Sequence, residues 1–322
     1  MKSAETITAM YFYPNQSERL RVLALWYFAS LLTLATVLGH TVLGFEQSWA
    51  HVLAGVGTAC AVQFVLEWVD ARARNRAARY RGGAMALINF LLPAYIPGQA
   101  IAILLYPNER ILPVVFAAVL MIGSKVMFRA PMGGGRTQHY LNPSNFGISV
   151  TLLLFPWVGL APPYHFTENV AGAWDWILPG IVLLSGIIIH ALFTARLPIL
   201  AAWIVGFFAQ GMIRSWLFGI PWLPTLVPMT SVAFMLFSMY MIPDPATIPI
   251  KPGRQVAFAL AVAAVYGLLQ ELEIVFGLFL SLVIVCALRG LGLHLISALE
   301  ERAPDRAPLA TGQRLSVEAR TL

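Results

Sequence analysis

The chain has 322 residues, of which 59% are hydrophobic and only 11% charged, and its net charge is +6. Soluble domains run about 45–50% apolar and about 25% charged. The composition therefore excludes an ordinary soluble enzyme, a disordered chain and a disulfide-stapled secreted domain, and leaves a polytopic membrane protein of all-α class.

A hydrocarbon core about 30 Å thick asks for roughly 20 apolar residues per helix. In chain order the predicted spans are 22–45, 50–69, 84–105, 111–128 and 146–161, then 176–193, 198–218, 229–242, 255–270 and 274–296. This gives about ten transmembrane helices over residues 22–296, with 1–21 and 297–322 as cytoplasmic N-terminal segment and tail. The tail from Glu300 to Leu322, rich in Ala, Arg, Pro and Glu, reads as solvated. The fifth, eighth and ninth spans are short, which predicts tilted, broken or re-entrant helices. The first apolar run follows Arg19 and Arg21 and continues past Gly44. That exceeds a signal-peptide apolar core of about 7–15 residues, so it reads as a span.

Basic residues test this count. With a cytoplasmic N-terminus, nineteen of the twenty-one Lys and Arg fall on the inner side, leaving Arg110 and Arg214 near the outer face. The outer loops carry Glu46, Glu109, Glu168, Asp175, Glu271 and Glu273. The bias predicts a multi-pass protein of the bacterial inner membrane with both termini cytoplasmic. The densest cluster, Arg72, Arg74, Arg76, Arg79 and Arg81, has two readings: a topology determinant, or a dock for anionic lipid or an acidic partner. Nothing points to nucleic acid. Cys60 and Cys286 each sit alone in an apolar run and read as small buried hydrophobes.

Two polar segments stand out, both predicted at the cytoplasmic ends of spans. In the first, Arg129 to Gly147, the run Gly133–Gly135 reads as a flexible loop, since G-x-x-x-x-G-K-[ST] is absent. Asn142-Pro-Ser-Asn145 reads as a helix start, with Asn142 or Ser144 as cap and Pro143 at the first helical position. Such an N-terminus favours an anionic or electron-rich ligand. The second segment, Met241 to Arg254, has four prolines in fourteen residues, which precludes a continuous helix. Asp244, between Pro243 and Pro245, is read either as the cap of a rigid turn or as part of a ligand site. Its partners would be Lys251, Arg254 or a residue of the first segment.

The ionisable residues His40, Glu67, Lys125, His190 and Arg214 lie in or near apolar spans, where function is the default hypothesis. Glu67, Lys125 and Arg214 are close enough to span ends to snorkel instead. His40 is deeper, but no second His lies at i+3 or i+4 and no C-x-x-C-H occurs. Neither a haem nor any other metal site is expected.

At the two polar segments the chain resembles a family. Asn142-Pro-Ser-Asn-Phe-Gly147 is similar to the N-P-x-N-x-x-x-G region of RnfD and NqrB. These are membrane subunits of ion-pumping ferredoxin:NAD and NADH:quinone oxidoreductases. Phe234-Met-Leu-Phe-Ser-Met-Tyr-Met-Ile-Pro-Asp-Pro-Ala-Thr247 resembles their F-x-x-T-D-P-V-T run, and Pro249-Ile-Lys-Pro-Gly-Arg254 follows. Leu38-Gly-His-Thr-Val-Leu-Gly-Phe-Glu46, Phe90-Leu-Leu-Pro-Ala94 and Ile122-Gly-Ser-Lys-Val-Met-Phe-Arg-Ala-Pro131 are similar to UnbU proteins. These are RnfD-like membrane proteins encoded with enediyne biosynthesis genes.

The resemblance implies a ten-helix bundle and electron transport, associated with enediyne-type natural-product biosynthesis. It also implies other membrane or redox subunits docking at the cytoplasmic face. RnfD and NqrB carry FMN on the Thr of an S-G-A-T-like motif in the outer loop after the fifth span. The corresponding loop here offers only Thr167, in His-Phe-Thr-Glu168, so covalent FMN is not expected. A noncovalent flavin or a quinone is expected instead. Its surroundings would be Lys125, Asn142, Asn145, Asp244 and Thr247, in a possible oxidoreductase subunit. The alternatives are a small-molecule transporter or exporter and a membrane scaffold for partner enzymes.

Overall fold

The computed structural model describes residues 18–132, 136–162, 164 and 166–302. The predicted loop Gly133–Gly135, and most of the two predicted cytoplasmic ends (1–17 and 303–322), lie outside the described residues. The helices, in chain order, begin with α1 (Glu18–Leu38, extended by a π turn Gly39–Leu43), α2 (Trp49–Ala73), α3 (Ala84–Leu104), α4 (Leu112–Met127) and α5 (Pro143–Leu154). They continue with α6 (Trp174–Ile189, then a π turn His190–Thr194), α7 (Leu197–Phe218), α8 (Trp222–Leu226, running into a 3-10 turn Val227–Thr230), α9 (Val232–Leu236, then a π turn Phe237–Met241), α10 (Pro252–Glu271) and α11 (Gly277–Arg302).

Each predicted span contains helix, yet among the described residues seven helices are long and apolar enough to cross a membrane, or eight if the bent α8–α9 pair counts as one span. The shortfall from ten has local causes. Helix α4 has 16 residues and α5 only 12. Phe155 precedes Pro156 and is thereby biased away from helical geometry, which ends α5 well before residue 161. The chain then forms β4 (Gly159–Leu160), which pairs antiparallel with β1 (Leu105–Tyr106) after α3. The predicted eighth span, 229–242, falls across two helical pieces, Trp222–Thr230 and Val232–Met241, bent by 69° from each other. The expected short ninth span is instead a full 20-residue helix. Pro252 occupies its first turn with polar Gly253 and Arg254, which an apolar window leaves out. Helix α1 likewise starts ahead of residue 22, and α11 runs past 296 to Arg302.

The helices expose side chains that water would not tolerate, among them Leu53 at 73% and Trp216 at 83%. The interior holds Trp203, Phe207, Phe237 and Phe279, all fully buried. Such an inside-and-outside apolar distribution fits lipid as the surrounding solvent.

Connectivity repeats after five helices. In the first half α1 packs on α3, α2 on α3 and α4, and α4 on α5. In the second half α6 packs on α9, α7 on the π turn Phe237–Met241 and on α10, and α10 on α11. The same four pairings recur, and the two halves meet where α5 packs on α11.

Close helix approach in lipid requires small residues. At Gly147 on α5 an added Cβ would lie 2.6 Å from the Ala117 carbonyl oxygen of α4. That oxygen belongs to a helix backbone and cannot move aside. Gly147→Val is expected to lower stability by about 1–3 kcal/mol, read as a lower midpoint of thermal unfolding in detergent; an unchanged midpoint would contradict this packing.

Candidate functional site

The two polar segments that are about 100 residues apart in sequence meet in space. Asn142 caps α5: its Oδ1 accepts from the Asn145 N–H at 2.9 Å, and Pro143 occupies the first turn. Its Nδ2 donates to the Met241 carbonyl at 3.1 Å and to Asp244 Oδ2 at 3.3 Å. Asp244 also accepts from the Ala246 N–H at 3.1 Å and the Thr247 hydroxyl at 3.3 Å. Both readings of the sequence therefore meet here, because the aspartate caps its own Pro-rich turn and touches the first segment. Asn145 Nδ2 reaches the Phe279 carbonyl of α11 at 2.8 Å, which ties α5 to the last helix.

Cations surround this cluster without pairing with its carboxylate. Lys125 Nζ donates to the Pro93 carbonyl at 2.6 Å and lies within electrostatic range of Asp244. The reason is readable in helix geometry: Pro97 has no N–H for the carbonyl four residues back, so Pro93 needs another donor. Arg289 Nη1 donates to the Thr247 carbonyl at 2.9 Å, and Arg196 Nη1 to the Pro249 carbonyl at 3.1 Å. Gln138 and His139 lie on β3 (Thr137–His139), which pairs with β2 (Arg129–Pro131); Gln138 Nε2 holds the Ala246 carbonyl at 2.6 Å. Burial pushes the His139 imidazole below its usual pKa; Asp244 opposes this, and Lys125 and Arg129 reinforce it. Of the partners expected for Asp244, a residue of the first segment, Asn142, bonds to it, while neither Lys251 nor Arg254 forms an ion pair with it among the described residues.

Two side-chain atoms in this region are buried without a partner among the described residues: Asn145 Oδ1, an acceptor, and Arg196 Nε, a donor. Asn145 is 1% exposed and Arg196 8%. Buried polar atoms are ordinarily satisfied, so each of these two atoms asks for a partner of its own. Sequence reading found Lys125, Asn142, Asn145, Asp244 and Thr247, which are brought together here. It missed Gln138, His139, Arg196 and Arg289. The Pro93/Pro97 spacing was the available signal for where a donor is needed.

The other intramembrane polar residues lie elsewhere. His40 Nδ1 meets the Thr36 carbonyl at 2.8 Å and its ring packs 4.5 Å from Trp49. His190 has both nitrogens partnered, by Thr194 Oγ1 at 2.7 Å and the Met239 carbonyl at 2.6 Å, which is a structural role. Arg214 pairs with Glu271. Thr167 is half-buried, and its hydroxyl donates to the Tyr164 carbonyl at 3.2 Å.

Glu67 does not snorkel. Its carboxylate, 1% exposed, accepts from Arg76 Nη1 at 2.6 Å, Arg79 Nε at 2.7 Å and the Arg79 backbone N–H at 2.7 Å. Asn75, in left-handed geometry at φ 48°, turns the chain back so that these arginines reach it. Asp70 holds Arg74 at 2.7 Å and also Arg76. Arg72 stacks 4.6 Å over Trp68. Three of the five clustered arginines are therefore engaged by acidic residues of α2.

Two stability predictions follow from these bonds. Arg76→Ala, which strips donors from a buried carboxylate, should lower the midpoint of unfolding in detergent clearly more than Arg74→Ala, at an exposed pair; comparable losses would refute the difference. In a double-mutant cycle, Asn142→Ala and Asp244→Asn should couple by about 0.5–3 kcal/mol, and strict additivity would show the bond between them to be inconsequential.

No family model matches this chain, and no curated protein is significantly similar to it.

Proposed function

We propose that this chain is an RnfD-like membrane component of an electron-transfer system, with a noncovalent flavin held at the Asn142–Asp244 cluster. The observation that carries this reading is the meeting of Asn142-Pro-Ser-Asn145 with Asp244-Pro-Ala-Thr247, the two segments on which the resemblance rests. In this reading the short helices α4 and α5 and the bent α8–α9 pair each cross or enter the bilayer. That makes ten spans in two inverted five-helix halves, with both termini cytoplasmic. The cluster then lies at the cytoplasmic end, open to soluble or membrane-bound redox partners. A biosynthetic oxidation or reduction, of the enediyne type, is the process it would serve.

The orphaned atoms fit a flavin better than a quinone. An isoalloxazine edge presents an imide N–H, a donor for the Asn145 acceptor. A quinone ring offers acceptors alone and leaves Asn145 Oδ1 unsatisfied. A bound flavin supplies one- and two-electron chemistry; this chain's residues would orient it and set its electrostatic surroundings. Lys125, Arg196 and Arg289 would favour a reduced, more negative ring, and Asp244 would limit that preference.

Purified protein should show flavin absorbance, released without protease on denaturation, and Asn145→Leu should abolish it while the fold persists. Protein that contains no flavin and takes none up when it is added would overturn the reading.

A second reading, a small-molecule transporter, is favoured by the break between Thr230 and Ser231, where Ser231 caps α9 through the Phe234 N–H at 3.1 Å. Helix breaks of this kind line substrate sites in secondary carriers. Substrate uptake by proteoliposomes without an electron donor would select it over electron transfer.

A further inference from the structure

Helices α1 and α2 both pack on α3, and a groove of about 630 Å³ lies where the three meet. Its walls come from Ala29, Thr33 and Val37 of α1, Cys60 of α2, and Ile88 and Tyr95 of α3. From Trp26 to Val37 it runs eleven residues, about 16 Å at about 1.5 Å per residue. One leaflet of a hydrocarbon core about 30 Å thick has nearly the same depth. The polar groups inside the groove already have partners. Trp26 Nε1 donates to Asn89 Oδ1 at 2.8 Å, the Thr33 hydroxyl donates to the Ala29 carbonyl at 2.7 Å, and the Tyr95 hydroxyl lies 2.7 Å from the Thr33 oxygen. The interior of the groove therefore asks only for hydrocarbon.

Its mouth differs. At the end of the bundle that carries the arginine cluster, two cations flank the groove. Arg19 stands seven residues before Trp26, which returns it to the helix face of Trp26 and Thr33, about 10 Å farther along. Arg81 is placed by its neighbour Tyr80, whose ring stacks on Phe64 at 4.4 Å and meets Phe90 edge-on at 5.8 Å. Phe64 is one turn beyond Cys60 on α2, and Phe90 lies between Ile88 and Leu91 on α3, so Tyr80 closes this same end. Arg74, Arg76 and Arg79 are held by Asp70 and Glu67, whereas Arg19 and Arg81 are exposed and have no acidic partner among the described residues. A groove one leaflet long, with unneutralised guanidinium groups at its mouth, has the charge and shape of one lipid class.

We propose that the α1–α2–α3 groove binds one anionic phospholipid, with an acyl chain along Ala29, Thr33 and Ile88 and the phosphate between Arg19 and Arg81. A zwitterionic lipid can lay the same chain in the groove, but it brings the two arginines no net charge to neutralise. Arginine suits this task because its planar fork meets two phosphate oxygens at once.

The test uses the full-length protein, delipidated in detergent, with phosphatidylglycerol as probe. Phosphatidylcholine is its zwitterionic counterpart and glycerol 3-phosphate its chainless one. In native mass spectrometry the first phosphatidylglycerol should bind with an affinity about tenfold above that of phosphatidylcholine, the scale of two cations near a lipid surface. Glycerol 3-phosphate should not compete. The double variant Arg19→Gln, Arg81→Gln should bring the ratio of the two lipids close to one, and Arg254→Gln, at another exposed arginine, should leave it unchanged. Ser30→Trp enters the groove from its exposed edge and should weaken phosphatidylglycerol binding without lowering the unfolding midpoint. Equal affinity for the two lipids would overturn the proposal, as would a preference that survives the double variant or falls as far in Arg254→Gln. Competition by glycerol 3-phosphate, or binding undiminished in Ser30→Trp, would overturn the role of the groove.

Discussion

A main-chain carbonyl in hydrocarbon must find a donor within the protein, because lipid supplies none. This chain interrupts its helices often, with prolines inside α3 and α6, three π turns and a broken eighth segment. Its scarce polar side chains are largely committed to the carbonyls that result. Lys125 serves Pro93, Asn142 serves Met241, His190 serves Met239, Arg196 serves Pro249 and Gln47 serves Ile103. A polar residue at bilayer depth is therefore first a repair to the backbone. Its claim to chemistry has to rest on what remains after that repair.

At the Asp244 cluster something does remain. The carboxylate is capped by neutral donors, an amide, a hydroxyl and a backbone N–H, while each neighbouring cation is held on a carbonyl. Opposite charges thus stand in electrostatic range of one another without collapsing into an ion pair. A collapsed pair would neutralise the site and make it inert. Charges kept apart leave a local field at the cluster. The α5 N-terminus adds its positive end to the same region.

Much of this was readable beforehand, for reasons that differ by residue. The start of α5 was legible because Asn142 and Pro143 are local signals that act within one turn. The Asp244 turn was legible because prolines restrict the backbone wherever they occur. Arg196, Arg289 and Gln138 were not, because their partners are carbonyls 53, 42 and 108 residues away and a carbonyl has no sequence signature. Among the described residues seven or eight of the ten predicted spans are helices long and apolar enough to cross a membrane, because hydropathy measures apolar length and not helix continuity. It does not register that Pro156 stops α5 or that the chain bends at Ser231. Glu67 looked like a residue free to reach the interface, and its burial depends on a chain reversal at Asn75 that composition does not announce.

That reversal has a consequence in time. Arginines orient a membrane segment while it is being inserted, when acidic neighbours count for little. Once α2 and the turn after it have folded, Arg74, Arg76 and Arg79 are bound to Asp70 and Glu67. The charge that would steer the nascent chain thus becomes part of the mature scaffold. The loop then greets its surroundings with far less positive potential than its spelling advertises.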